Sequence, residues 1–271
     1  MAIPDFVSSY VKYLTYRESA RNNNKIDLTG IKFLNSTTAL LLAVLKIKED
    51  IEIYTSSPSE AANYLNYMVS MPEWWKSEIG KIMVSTEHYI PFSVLPNNNT
   101  QFKTLLERIR ELINSYDPLG GQNAFNLVLT ELTDNIYQHS RFDKAFMMCQ
   151  TYKKKEYVEL SFIDDGISIP GNFNKYNIDF ESDAEAIDMA VKGVSTKKDL
   201  ERGRGLGDSL SVYCKSVNAQ AMIVSRGGLY YRKGDEKQLY KLTREQEFQG
   251  TLVSLRLPVL HNNIDYTKYV S

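Results

Sequence analysis

Two rhythms of apolar and polar positions run along this chain. Helical spacing comes first, at Phe6, Val7, Tyr10, Val11 and Leu14, and predicts an opening helix that ends before Asn22-Asn23-Asn24. Ile26, Leu28, Ile31 and Phe33 then suggest a strand broken at Gly30, with Ser36 as the N-cap of a helix over 37–47. Residues 51–54 read as a short strand, and Ser57-Pro58 opens a helix through Tyr64, Leu65 and Met68. This β-α-β-α series makes a small α/β module over residues 1–88. The adjacent Trp74-Trp75 covers a seam between modules in one reading and marks a partner site in the other.

A boundary near 88–91 and the polar turn Asn97-Asn98-Asn99 precede an amphipathic helix over 101–116, whose buried side holds Phe102, Leu105, Leu106, Ile109, Leu112 and Ile113. Gly120-Gly121 breaks it, and a second helix covers 127–140, with Leu127, Val128, Leu132 and Ile136 as its apolar stripe. Period two then takes over. Strands are predicted over 145–148 and 157–163, joined by a charged tip at Lys153-Lys154-Lys155, and again over 221–225, 229–232, 240–242 and 251–257. The helical stretch 209–217 stands among them.

Composition narrows the function classes. With 32 Lys+Arg against 33 Asp+Glu the net charge is −1, so no global basic field draws nucleic acid or an anionic membrane. The longest apolar run, residues 39–45, is too short to span a bilayer, and the first residues lack the pattern of a signal peptide, so the expectation is a cytoplasmic protein. Cys149 and Cys214 lie in apolar surroundings without CxxC pairing, which predicts buried thiols and excludes zinc or disulfide scaffolds.

Candidate chemistry gathers at four places. Glu131 and Asn135 are four apart on the 127–140 helix, so a carboxylate and an amide share one face; they suit Mg²⁺ and a nucleophile, or form a solvated face. Asp164-Asp165-Gly166 closes a predicted strand. Gly203-Arg204-Gly205-Leu206-Gly207 precedes a helix, where backbone N–H groups can meet phosphate. Gly250-Thr251 opens the last strand, and no GxxxxGK[ST] is present.

This ordered set resembles the GHKL ATPase fold of gyrase B, MutL, histidine kinases and the anti-sigma serine kinases, over roughly residues 90–258, with a domain assigned to 89–271. The resemblance implies an α+β sandwich, a mixed sheet covered by helices, binding ATP or ADP with Mg²⁺. It implies Glu131 as general base, Asn135 as Mg²⁺ ligand, and Asp164 as acceptor for the adenine amino group. Gly166 would let the base approach; Gly203, Gly205 and Gly207, with Leu206 between them, would cradle phosphates; and Thr251 would bond the adenine side. Residues 171–202 would form a nucleotide lid, whose Lys197, Lys198 and Arg202, with Arg204, meet phosphate or serve solubility. Ser168 stands at the second glycine of the family's DxGxG, which implies a tighter or shifted turn, and His139, four after Asn135, either touches the site or packs or caps the helix end.

The first module is similar to a STAS domain, through Phe33-Leu34-Asn35-Ser36-Thr37-Thr38. Ser36 falls on the position phosphorylated in anti-sigma antagonists, while Asn35 and Thr38 replace the aspartate and glycine of that pattern. A histidine kinase is disfavoured, because the 101–116 helix has no His, and too few residues follow Pro258 for the second domain of gyrase-like members. Two functions remain: a partner-switching serine/threonine kinase or ATPase, or a nucleotide-dependent binding switch. Both imply a protein partner at the STAS-like module, and the resemblance also admits a homodimer.

Overall fold

The structure is a computed structural model that describes residues 3–69, 89–95, 106–107, 122–194 and 205–259. In chain order the elements are α1 (Ser8–Asn23), β1 (Lys25–Asp27), α2 (Ser36–Glu49), β2 (Glu52–Tyr54), α3 (Glu60–Val69) and β3 (Tyr89–Val94). Then come α4 (Gln122–Asn135) with a π-helical turn (Ile136–Ser140), β4 (Ala145–Tyr152), β5 (Tyr157–Asp164), α5 (Ile169–Lys175), α6 (Asp183–Val191) and α7 (Gly205–Val217). Strands β6 (Gln220–Arg226), β7 (Gly228–Lys233), β8 (Glu236–Lys241) and β9 (Phe248–Pro258) close the described chain.

A large sheet in the order β3-β4-β5-β9-β6-β7-β8 organises these elements, and β1 pairs with β2 separately. The expected mixed sheet is instead antiparallel in each of its pairs, and parallel pairing occurs between β1 and β2, across the α2 crossover. The architecture is α+β. Side chains alternate between the two faces of each strand, and two cores result. Met147, Leu160, Phe162, Ile223 and Leu255 face one side, where Val128, Leu129 and Leu132 of α4, Ile187 of α6 and Leu210 and Tyr213 of α7 cover them. Phe146, Met148, Ile163, Met222 and Leu252 face the other, packed with Tyr10 of α1, Leu40–Leu42 of α2 and Leu65 of α3. Each such buried Leu, Ile or Phe contributes roughly 1.5–3 kcal/mol.

The first module thus shares a core with the sheet of the second. Helix α2 shows why: residues 36–45 are buried all round, so it has no solvent face to offer. It lies between α1, α3 and strands β4 and β5. Three local expectations change. Strand β1 ends at Asp27, Phe33 is exposed, and the N-cap of α2 is Asn35, whose side chain accepts from the Thr38 N–H at 2.8 Å. Asn at the cap frees Ser36 for the first helical position. The strand β3 carries Pro91 at the sheet edge, where a missing N–H costs no ladder bond. Trp74-Trp75, the turn at 97–99 and, apart from Leu106 and Glu107, the helix over 101–116 lie outside the described residues.

Both cysteines are buried free thiols, and burial pushes the Cys214 thiol up to about 12 and raises Cys149 as well. No helix among the described residues is long and apolar enough to cross a membrane.

Candidate functional site

One row across the sheet breaks the apolar pattern. Asp164 on β5 pairs with Thr251 on β9, and Thr251 pairs with Ser225 on β6. Residues facing each other across neighbouring strands point the same way, so all three project toward the face that carries α4 and α7. The next row inward is Phe162, Val253 and Ile223, so the polar row sits at the end of an apolar layer. Its members are buried: Asp164 is 4% exposed, Thr251 8% and Ser225 0%.

Asp164 ends β5, and its Oδ1 accepts from the Gly166 N–H at 2.9 Å. Burial pushes its carboxyl up to about 7, against the opposing pull of the Gly166 N–H, Lys48 and the Thr251 backbone N–H, with Asp165 adding to the rise. Asp164 makes no salt bridge among the described residues. The neighbouring Asp165 does structural work. Its Oδ1 accepts from the N–H groups of Asp143 and Lys144 at 3.0 and 2.8 Å, and Lys48 of α2 reaches its Oδ2 at 3.5 Å.

The end of α4 is held against this turn. After Asn135 the helix widens into the π turn, a departure that recurs at functional sites. The turn delivers the Ser140 carbonyl to the Ile167 N–H at 2.8 Å. A Cβ on Gly166 would lie 1.9 Å from the Ser140 oxygen, so the helix end by itself requires glycine there. Gly166→Ala should therefore lower stability by about 1–3 kcal/mol, read as a smaller denaturation midpoint, because two backbone segments must separate.

Ser168 has φ 68°, so the turn keeps the backbone conformation that glycine favours although a serine occupies it. Its hydroxyl offsets part of that strain by capping α5, accepting from the Gly171 N–H at 3.1 Å. Gly250, at φ +91°, would place a Cβ 1.9 Å from the Asp164 carbonyl, so strand β9 can approach β5 there as glycine alone.

On α4, Glu131 and Asn135 are both partly buried. Among the described residues, Asn135 Nδ2 is a buried side-chain polar atom without a hydrogen-bond partner. Such an atom costs about 1–3 kcal/mol, and an amide can turn either its oxygen or its nitrogen to the same space. Helix α7 packs beside α4 on this face, and its first turn contains Gly205, Leu206 and Gly207. The glycines therefore open the helix instead of preceding it. Gly207 has a packing reason of its own: a Cβ there would lie 1.9 Å from the Val191 carbonyl at the end of α6. Of the segment read as a lid, residues 171–194 hold the rest of α5 and all of α6, and Ile187 and Val191 of α6 are in the core. Lys197, Lys198, Arg202, Gly203 and Arg204 lie outside the described residues, as does the side chain of His139.

Sequence reasoning missed Ser225, an ordinary strand serine whose importance depends on its register with Thr251. It also missed a second polar cluster on the opposite face. Glu159, 0% exposed, accepts through Oε1 from the Thr37 N–H at 2.9 Å, the Thr37 hydroxyl at 2.7 Å and the Ser36 hydroxyl at 3.1 Å. Its Oε2 accepts from Arg256 Nε and Nη2 at 3.1 and 3.0 Å. The Tyr152 hydroxyl accepts from the Ser36 N–H at 2.8 Å, so side chains satisfy all three N–H groups of the first turn of α2. Ser36 is 0% exposed within this cluster. A charged residue in each of two apolar strands, Glu159 and Arg256, was the available signal.

No protein-family profile, curated protein or solved structure matches the chain.

Proposed function

We propose that this chain is a regulatory protein that binds Mg·ATP in a GHKL-type site, as a partner-switching serine/threonine kinase or ATPase. The observation that carries the reading is Asp164. A carboxyl buried at a strand end without a salt bridge among the described residues is costly to the fold, and a ligand that donates hydrogen bonds to it accounts for that cost. The adenine amino group is such a donor, with Thr251 beside Asp164 as its second contact.

The Asn135 amide, whose nitrogen has no partner among the described residues, fits a role at the phosphates, with the nitrogen donating to them or the oxygen turned toward Mg²⁺. Among the described residues no group of three His, Cys, Asp or Glu could hold a metal ion, so a cation here rests on Asn135, phosphate oxygens and water. Bound Mg²⁺ would neutralise charge on the phosphates. Glu131, one turn earlier on α4, takes the proton from a water or a hydroxyl. The first turn of α7, with Gly205 and Leu206, offers backbone N–H groups to phosphate.

The N-terminal segment, STAS-like in its β1-α2-β2 order, is the side assigned to a protein partner. Ser36 is not its phosphoacceptor: its hydroxyl is buried and bonded to Glu159, so transfer goes to a partner hydroxyl or to water.

Calorimetric titration of the full chain with ADP and ATP in Mg²⁺ tests the proposal. Saturable binding is expected, and failure to bind either nucleotide at high protein concentration overturns it. Glu131→Ala should keep nucleotide affinity and lose at least about 100-fold in phosphate release or transfer. Undiminished turnover in that variant removes Glu131 as the base.

A further inference from the structure

The Ser225 hydroxyl has one proton and two lone pairs, and the structure gives it three neighbours. The Ile169 N–H donates to it at 2.9 Å and occupies one lone pair. The Gly250 carbonyl lies at 3.1 Å and can only accept, so it takes the proton. The Thr251 hydroxyl, at 2.9 Å, is left to donate into the second lone pair. The opposite assignment would give the proton to Thr251 and deprive the buried Gly250 carbonyl of this bond. The β6–β9 register slips beside it, from Ser225–Thr251 to Arg226–Phe248, which sets the Ser225 hydroxyl against the Gly250 carbonyl.

We propose that Ser225 fixes the polarity of Thr251, so that Thr251 and the ionised carboxylate of Asp164 together offer acceptors only and select a purine bearing an exocyclic amino group over one bearing a carbonyl there. This rests on the nucleotide reading of the site. With its proton committed to Ser225, Thr251 turns lone pairs outward. Asp164 already takes the Gly166 N–H and acts in the same sense. An amino group meets two acceptors, whereas a carbonyl oxygen meets two groups that repel it. Ser225 is a positioning residue: it acts through Thr251 and need not touch the ligand.

The test compares ADP with inosine diphosphate, which carries a carbonyl in place of the amino group, by calorimetry on the full chain at pH 8.5. Wild type should bind ADP the more tightly. In Ser225→Ala the Thr251 hydroxyl is released to donate, and the ADP-to-inosine-diphosphate affinity ratio should contract about tenfold. Ser225→Cys, close to serine in volume and a weak hydrogen-bonding group, should shift the ratio the same way and guards against loss of fold in the alanine variant. If both variants weaken the two nucleotides equally and leave the ratio unchanged, Ser225 is structural and the inference is overturned. If wild type binds neither nucleotide, the nucleotide reading itself has failed, and the inference with it.

Discussion

Replacing Glu159 with alanine should destabilise the protein by about 3–5 kcal/mol, the largest loss expected of a single substitution outside the apolar cores. Glu159 holds Arg256, which is 7% exposed and whose other ionic partner among the described residues, Asp5, has a side chain 89% exposed. Without Glu159 the buried guanidinium keeps one solvent-screened contact and its stacking on Phe6 and Tyr157. The substitution also orphans the Thr37 N–H and the Thr37 and Ser36 interactions at the start of α2. Replacing both members of an isolated buried ion pair by apolar residues is often neutral or stabilising. Here the double variant Glu159→Met, Arg256→Leu should still lose about 1–3 kcal/mol, because the helix start loses its acceptor. Urea unfolding of both variants measures this. A stabilised double variant would show that the hydroxyls of Ser161 and Ser254, which bond Thr37 at 3.0 and 2.7 Å, can take over that role.

Stability of the nucleotide-free protein should fall as pH rises from about 4 to about 7, by up to about 4 kcal/mol from Asp164 alone. The direction follows from proton binding. The unfolded carboxyl titrates near 3.8 and the folded one near 7, so between those values the folded state binds the extra proton. The advantage is complete below the lower value and gone above the upper one. Lys48 counters the rise and Asp165 adds to it. Other carboxyls titrate in the same window, so the measurement is a difference: unfolding free energies at pH 5 and pH 8 for wild type and Asp164→Asn. Wild type should lose about 2–3 kcal/mol relative to the variant over that interval; parallel profiles would mean that the carboxyl is not desolvated. Nucleotide binding should run oppositely. The ionised carboxyl is the better acceptor, so wild-type ADP affinity tightens as pH rises through 7, and Asp164→Asn binds ADP weakly at either pH.

Much of the secondary structure was legible because each element carries a period strong enough to read locally. The strands at 145–148 and 157–163 lie within β4 and β5, and the alternation at 251–257 lies within β9. The 127–140 helix is α4 with its π turn, and Lys153-Lys154-Lys155 forms the exposed tip. Failures came where a local pattern competed with packing. Ile31 and Phe33 alternate like a strand, yet the chain turns after Asp27, where the Asp27 carboxylate accepts from the Thr29 N–H at 2.9 Å. Two residues of equal capping propensity, Asn35 and Ser36, stood side by side, and the position of Tyr152 and Glu159 decided between them.

By itself the sequence determined the class of the fold, the helix carrying Glu131 and Asn135, and the placement of Asp164 at a strand end. Local periodicity and turn chemistry need no knowledge of distant residues. Tertiary structure alone decided that the N-terminal helices and the sheet share a core, that Gly166 answers to Ser140, and that Ser225 stands beside Thr251. Each of these depends on register between segments far apart in the chain. A shift of one residue along a strand would send Asp164, Thr251 and Ser225 to opposite faces, and it is the burial of both faces of the sheet that fixes the register.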